Sequence, residues 1–173
     1  MFKTMTLLLC LIWLAGCSSI DKSKRVFKDQ NTKPTLELIE TLGEELESKL
    51  TIGELEKIAK LSVELLDDKP IYYGATKNYE ILARVNDLDE KASANVTQVK
   101  FRFNKRQQIS LRDVEVVFGK SSVRSLGPST LLNFALPQAS MAKKLETIAH
   151  VRGSGENMEE PIISILIRQK DEL

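Results

Sequence analysis

Few residue types in this chain could carry chemistry, and Cys17 is the first of them along the sequence. The chain has two cysteines and one histidine among its 173 residues. Cys17 follows an apolar stretch, residues 5–15, and precedes a polar one. A thiol in this position is a core side chain, half of a disulfide, or a site of covalent modification. The residues that flank Cys17 decide between these.

Residues 1–16 have the composition of an export signal. Lys3 supplies a positive start, and residues 5–15 are apolar apart from one threonine. This stretch is shorter than the roughly 20 apolar residues that a membrane-spanning helix needs. Polar residues begin directly after Cys17. We therefore expect residues 1–16 to be a signal peptide that is removed.

The end of this signal, Leu14-Ala15-Gly16-Cys17, resembles the lipobox of bacterial lipoproteins. The resemblance implies that the Cys17 thiol receives a diacylglyceryl group, that the signal is cut before it, and that the new amine is acylated. Each buried CH₂ contributes about 0.8 kcal/mol, so three acyl chains anchor a protein firmly. The two serines after the cysteine lack the aspartate that retains enterobacterial lipoproteins at the inner membrane. The resemblance thus implies the outer membrane, with the chain on its periplasmic side.

The other terminus carries a competing address. Residues 170–173 spell the endoplasmic-reticulum retention signal, and Asn95-Val96-Thr97 offers a glycosylation sequon. We reject this reading because the tail directly follows an apolar run, residues 162–167, and a charged end is typical of any solvated terminus. The start has its length, small residues, cysteine and polar continuation all in the required order.

The charge balance and the cysteine count bound the function of the exported part. Of the 25 basic residues only Lys3 lies within residues 1–16, which leaves 24 basic and 24 acidic residues. A nucleic-acid-binding chain is expected to carry a basic excess on one face, so we predict no nucleic-acid partner. With Cys10 removed and Cys17 lipidated, the folded part has no thiol. Disulfides and cysteine-zinc sites are therefore excluded.

Catalytic groups are scarce in the rest of the chain. His150 is the only histidine, and it lies in a strand pattern on the same face as Glu146 and Ile148. Ser154 lacks the flanking pattern of a nucleophile elbow, and its glycines suit a hairpin turn. We therefore predict no catalytic, metal-binding or cofactor-binding residues and no enzyme activity. A cell-envelope hydrolase with paired carboxylates stays open as an alternative, although the sequence singles out no pair.

Two segments follow the signal in the predicted domain organisation. Residues 17–33 are polar without a sustained period, which predicts a lipidated cysteine and a flexible tether. Residues 34–173 are expected to form a single periplasmic α+β domain. Apolar residues at three- and four-residue spacing predict amphipathic helices over 36–50 and from 52 to about 66.

The period changes from 3.6 to 2 after Pro70, which predicts an antiparallel sheet with one solvated face. The expected strands cover residues 79–85, 97–103, 123–126, 131–136, 145–151 and 162–168.

A short helix is expected to interrupt this sheet. Ser110 followed by Asp113 is a capping pattern, and Gly119 suits the end of a helix. The heptapeptide ISLRDVE, residues 109–115, matches LTIGELE, residues 50–56, in its pattern of apolar, hydroxyl and acidic positions. The match raises the hypothesis of a tandem helix-sheet repeat, although capping alone can produce it.

The stretch SLRDVEVVFGKS also resembles the short helix of SmpA/OmlA-type small outer-membrane lipoproteins, and the beta-lactamase inhibitor protein fold has a related helix-then-sheet unit in tandem. The resemblance covers residues 110–136, with Ser121 in place of the family's proline. It implies a binding or assembly role without catalysis.

Two groups of residues are candidates for contact with a protein partner. Arg84, Lys100 and Arg102 are expected on the outer side of neighbouring strands, where they would form a basic patch for an acidic partner. Tyr72 and Tyr73 are candidates for an aromatic anchor, with a place in the core as the alternative.

These observations predict a lipid-anchored, non-catalytic subunit of a bacterial envelope or secretion complex, bound to the membrane through its N-terminal lipid and to a protein partner. The alternative within the binding class is an inhibitor or immunity lipoprotein that blocks a toxin or hydrolase in the periplasm.

The anchor has a direct test in the intact mass of the membrane-extracted protein. We expect the mass of residues 17–173 plus diacylglycerol and acyl groups, and loss of these groups in Cys17→Ser. An unlipidated mass in the unsubstituted protein would contradict the lipobox assignment.

Overall fold

The computed structural model describes residues 22–67, 69–88, 90–125, 130–134, 145–154 and 156–169, with residues 123–125 described in backbone only. Leu14, Ala15, Gly16 and Cys17 lie outside the described residues, as do residues 170–173. The helices are α1 (Lys33–Ser48), α2 (Ile52–Ala59) and α3 (Leu111–Phe118). The strands are β1 (Glu64–Leu65), β2 (Ile71–Ala75), β3 (Tyr79–Val85), β4 (Val96–Phe103), β5 (Ser121–Ser125), β6 (Thr130–Phe134), β7 (Leu145–Val151) and β8 (Ile162–Gln169).

All eight strands form one antiparallel sheet in the order β1-β2-β3-β4-β8-β7-β6-β5. The strands β1 to β4 are a meander, the strands β5 to β8 are a second meander, and β4 pairs with β8 where they join. The α+β class with N-terminal helices, an antiparallel sheet and a short helix between strands is therefore confirmed.

The core lies between one face of this sheet and the helices. The helix α1 lies against β4 and β8 and contacts both α2 and α3. Its apolar stripe is fully buried, as are the alternate residues of the central strands. Removing a side chain of this kind from water contributes about 1.5–3 kcal/mol. The stripe and the sheet residues beneath it are Leu36, Ile39, Leu42, Leu46, Ile81, Ala83, Val99, Phe101, Ile165 and Ile167.

Residues 22–32, which we expected to belong to a flexible tether, pack against the domain, and we call them the strap. Phe27 is only 4% exposed and belongs to the main core cluster. The backbone N–H of Lys28 donates to Asp113 at 2.7 Å, and Thr32 is buried. The tether prediction missed this because Phe27 is an isolated apolar residue in a polar stretch, and periodicity has no signal for a single anchor.

The strap is fixed to α1 by a buried ion pair. The guanidinium of Arg25 donates to both carboxylate oxygens of Glu40 at 2.7 and 2.8 Å. Both side chains are 4% exposed, and Lys22 adds a second cation 3.4 Å from Glu40. Burial raises the pKa of Glu40, but the hydrogen bonds and charges of Arg25 and Lys22 together outweigh it, so the net pKa lies below its ordinary value. The planar fork of arginine suits this bidentate contact.

The second helix is shorter than the sequence pattern suggested. It ends at Ala59, where Lys60 adopts a left-handed conformation with φ of 50°. The following residues cross the sheet so closely that a Cβ on Gly74 would lie 2.9 Å from the Ser62 carbonyl oxygen. The apolar residues within the segment 61–66 continue the helical period by coincidence. The sequence analysis therefore extended the helix through this segment and missed β1 and β2.

The two halves of the sheet begin with the same helix start. Thr51 caps α2 by accepting from the Glu54 N–H, and Ser110 caps α3 by accepting from the Asp113 N–H. Each cap also forms an isolated β-bridge to the residue just before the last strand of its meander, at positions 95 and 161. The capping match noted in the sequence is therefore part of a larger structural repeat.

Hydrogen bonds next to each cap repeat with the same partners. The N–H after each cap, at Ile52 and Leu111, donates to the carbonyl of Ala94 and Glu160. These acceptors lie at the same place, two residues before β4 and β8. The N–H of the first residue of each strand donates back to the carbonyl before the cap, at 2.8 Å in both halves. Capping alone would not produce these long-range contacts.

A glutamate within each capped helix also has the same role in the two halves. Glu56 accepts the Val63 N–H at 2.8 Å, and Glu115 accepts the Ser121 N–H at 3.1 Å. Each carboxylate thereby satisfies a backbone donor in the chain that leaves the helix. The two halves are a tandem repeat of one helix and four strands.

The buried ion pair should contribute strongly to stability. Replacing Arg25 with Met leaves Glu40 buried beside Lys22 alone, so we expect a loss of about 2–4 kcal/mol in the free energy of unfolding at neutral pH. Urea denaturation measures it. Lys33→Met is the matched control, since it removes an exposed 3.8 Å pair with Glu37 and should change stability by less than about 0.5 kcal/mol.

The contribution of Glu40 to the free energy of unfolding should decrease as the pH falls. Because its folded pKa lies below the ordinary value of 4.5, the stabilisation is complete above pH 4.5 and is lost as pH falls through the folded pKa. The difference in the free energy of unfolding between the unsubstituted protein and Arg25→Met should therefore decrease in acid. A difference that is constant from pH 7 to pH 3 would show that the ion pair is not its source.

Candidate functional site

The face of the sheet that points away from the helices carries the predicted partner-binding residues. Because side chains alternate along a strand, the buried Ile81 and Ala83 place their neighbours Leu82 and Arg84 on the opposite face. The same alternation on β4 places Lys100 there, between buried neighbours. We call this side of the sheet the open face.

Three cations lie together on the open face of β3 and β4, and we call them the basic patch. Arg84 and Arg102 are exposed, and Lys100 is half-buried. Lys100 lies opposite Leu82 in the register of the two strands. Within the described residues, none of the three cationic side chains has a hydrogen bond or an ion pair. The structure brings together the three basic residues that the sequence placed on adjacent strands.

The repeat shows which of these charges lacks its counterion. Glu80 lies opposite Arg102, and Glu146 lies opposite Arg168 at the equivalent positions of the second half. Arg168 donates to Glu146 at 2.7 Å, which neutralises it. Among the ion pairs of the described residues, none joins Glu80 to Arg102, the equivalent residues of the first half. Arg102 is therefore available to an external carboxylate.

The two tyrosines that we treated as one anchor lie on different faces. Tyr72 is 5% exposed and belongs to the core, so it is not a surface anchor. Tyr73 lies on the open face opposite Leu82 and is half-buried. Tyr73, Leu82 and the half-buried Leu166 form an apolar row that contains Lys100. Neither leucine was among the predicted partner-binding residues, although the alternation of residues 79–85 already placed Leu82 on the same face as Arg84.

His150 lies on the same open face as Glu146, as predicted, but in the second half of the sheet. It pairs in register with Ser164, without a hydrogen bond between their side chains among those that the described residues form. Burial lowers the pKa of His150, and the charge of Lys100 lowers it further. Its Nε2 atom is buried and has no hydrogen-bond partner in the described part of the chain. The histidine is thus held neutral close to the basic patch.

The other candidates for chemistry have structural surroundings. Ser154 lies in the turn between β7 and β8, where its hydroxyl donates to Glu160 at 3.1 Å and accepts the N–H of Glu156. Gly153 has a φ of 144°, which favours glycine in this turn. In the part of the chain that the structure describes, no group of three or more acidic, histidine or cysteine side chains is arranged to hold a metal ion.

A sequence signal for the repeat existed beyond the helix starts. YEILARV, residues 79–85, and LETIAHV, residues 145–151, share glutamate, alanine and valine at equivalent positions. Both strands also have a register shift just before the final valine. Aligning these two segments would have predicted that Glu80 faces Arg102 as Glu146 faces Arg168.

Comparison of the chain with protein-family models, with curated proteins and with solved structures gives no match. Within the described residues, no helix combines the length and the apolar character that crossing a membrane requires.

The proximity of Lys100 to His150 has a measurable consequence. Replacing Lys100 with Gln removes a positive charge that disfavours the protonated ring, so the pKa of His150 should rise. An NMR pH titration reports it cleanly, because the chain has one histidine. Lys105→Gln, a charge loss in the loop after β4, should leave the pKa unchanged. Equal pKa values in all three proteins would place Lys100 too far from the ring to act.

Proposed function

We propose that this chain is a lipid-anchored, non-catalytic binding subunit on the periplasmic side of the bacterial outer membrane. Its open face docks an acidic protein of an envelope or secretion complex. The lipobox-like residues 14–17 support the anchor, and the basic patch supports the partner class. The membrane contact is made by the acyl chains on Cys17, which leaves the sheet free for the protein contact.

The observation that carries this proposal is the unpaired state of the basic patch. Some described cations elsewhere, such as Arg25 and Arg168, have carboxylate partners within 4 Å, whereas others, such as Arg152, have none. Arg84, Lys100 and Arg102 have none either, and they share one face of two adjacent strands. The basic patch is distinguished because its unpaired cations cluster on adjacent strands. A concentrated field of one sign steers an oppositely charged partner and fixes its register on binding.

The apolar residues beside the patch favour a protein surface as the occupant. Tyr73, Leu82 and Leu166 lie half-buried in one row with Lys100. Interface cores between proteins are enriched in aromatic residues and arginine, with polar residues at the rim. A nucleic acid would require a basic excess, whereas residues 17–173 carry equal numbers of acidic and basic side chains.

A site-specific photo-crosslinker in the native cell tests the docking face. We place it at Leu82, in the apolar row beside the basic patch, and, as a control, at Lys57 on the exposed side of α2. The Leu82 position should crosslink a protein with an acidic surface, identified by mass spectrometry. Arg84→Glu combined with Arg102→Glu should reduce this crosslink at least tenfold, because two attractions become repulsions.

Lys57→Glu combined with Lys60→Glu is the matched control, since it reverses two exposed charges on the helical side and should leave the crosslink unchanged. Replacing the partner's acidic residues with lysine should restore crosslinking to the reversed variant. Equal crosslinking in both reversed variants, or crosslinks to lipid alone at Leu82, would refute the docking face.

A further inference from the structure

A cavity of about 510 Å³ lies at one end of the sheet, apart from the basic patch. Its walls come from three segments that are distant in sequence: the strap, the loop between β4 and α3, and the connection from β7 to β8. Binding sites for small molecules commonly have volumes of about 300–1,000 Å³. The cavity is therefore large enough for a small molecule or a short peptide end.

The cavity exists because β4 and β8 separate at this end. Their pairing stops at Arg102 opposite Ser164. Beyond it, Ile162 is held by the start of α3 through a 2.8 Å hydrogen bond to the Ile109 carbonyl. The chain after β4 turns the other way, and Asn104 fixes that turn by accepting the Arg106 N–H at 3.0 Å. Hydrogen bonds within the protein thus hold both walls in place without a ligand.

Part of the cavity lining is apolar. Ile109 and Ile162 are buried, Phe103 and Ile163 are half-buried, and Pro161 is the fifth apolar residue, whereas the other ten lining residues are polar or charged. The apolar part favours an apolar ligand body, since contact removes it from water.

The carboxylates of the lining already have donors. Asp113 accepts the N–H of Lys28 at 2.7 Å and two hydroxyl groups. Glu159 pairs with the Lys28 ammonium and with Arg112 at 3.3 Å. Asp29 accepts a backbone N–H two residues further along the chain at 2.8 Å. Glu159 is thus neutralised by two cations, whereas the described partners of Asp29 and Asp113 are uncharged donors.

Two cations of the lining have no such compensation. Lys105 and Arg152 are both exposed, and neither side chain has a hydrogen bond or an ion pair among the described residues. They come from different walls, the loop after β4 and the end of β7. A ligand anion between these walls would be held from both sides by charge-assisted hydrogen bonds.

We propose that this cavity binds an amphiphilic carboxylate, a ligand with an apolar body on the lining of isoleucine and phenylalanine and an anionic end at Lys105 and Arg152. This chemistry is shared by the C-terminus of a peptide and by a short fatty acid. Neither cation belongs to the basic patch.

Calorimetry with 4-phenylbutyrate and its neutral amide tests the anionic end. The full lipidated chain is held in phosphatidylcholine nanodiscs, and empty discs provide the blank. We expect saturable binding of one 4-phenylbutyrate per chain, and at least tenfold weaker binding of the amide. Arg152→Gln and Lys105→Gln should each weaken the carboxylate about threefold to tenfold, without weakening the amide.

Arg106→Gln is the matched control, because Arg106 is an exposed cation of the same loop that does not line the cavity. It should leave the affinity unchanged. Equal affinities for the carboxylate and its amide would overturn the proposal, as would equal losses in Arg106→Gln and Arg152→Gln.

Two further probes distinguish the sources of the carboxylate. N-acetylated alanyl-phenylalanine with a free C-terminus represents a peptide end, and octanoate represents a fatty acid. Tighter binding of the dipeptide, lost on amidation, would assign the cavity to a protein C-terminus. Tighter binding of octanoate would assign it to a lipid-derived acid. Failure of both to bind in an Arg152-dependent manner would reject this ligand class.

Discussion

The antiparallel pairing of β4 with β8 is the constraint on which the rest of the structure depends. Each of these strands ends one four-stranded meander, and their pairing from Gln98 to Arg102 makes one sheet out of two repeats. The buried side of this seam, with Val99 and Phe101, is the surface on which α1 packs. The same pairing brings the open-face residues of the two repeats into neighbouring rows. It also sets the cavity, which begins where the pairing stops.

A repeat alone would leave two short helices over a wide sheet, and the N-terminal segments supply the missing cover. The helices α2 and α3 have eight residues each, and α1 has 16. Short helices bury too little surface to be stable alone and depend on tertiary packing. The strap holds α1 through Glu40 and reaches α3 through Asp113, whose carboxylate accepts the Lys28 N–H and whose own N–H donates to the cap Ser110. One segment thus links the added helix to the second repeat.

The sequence predicted the elements that have a strong local period and missed those that depend on distant contacts. The strands β3, β7 and β8 and the capped helix α3 were predicted within a residue or two, because alternation and capping act locally. The strap, β1 and β2 were missed, since Phe27 and Gly74 are explained only by what they contact. For the site, the sequence placed Arg84, Lys100 and Arg102 on one face but could not separate Tyr72 from Tyr73. The sequence could not predict the cavity, because its lining residues are up to 135 positions apart, from residue 28 to residue 163.

Comparing equivalent side chains in the two halves of the repeat shows which residues have a structural partner in one half and lack it in the other. Equivalent positions in the two halves share a fold, so a side chain that is paired in one and unpaired in the other has lost a structural partner. Arg168 keeps its contact with Glu146, whereas Arg102 does not contact Glu80. Similarly, Arg84 occupies the position of His150, so a fixed charge in the first half replaces a ring that is held neutral in the second. The second difference adds one positive charge to the β3–β4 side, and the first leaves the net charge unchanged but leaves Arg102 without a direct contact to Glu80. An unneutralised cluster of charge opposes the compact state through self-repulsion. The β3–β4 side of the open face thus carries a repulsion that the second half avoids, and an acidic surface docked there would relieve it.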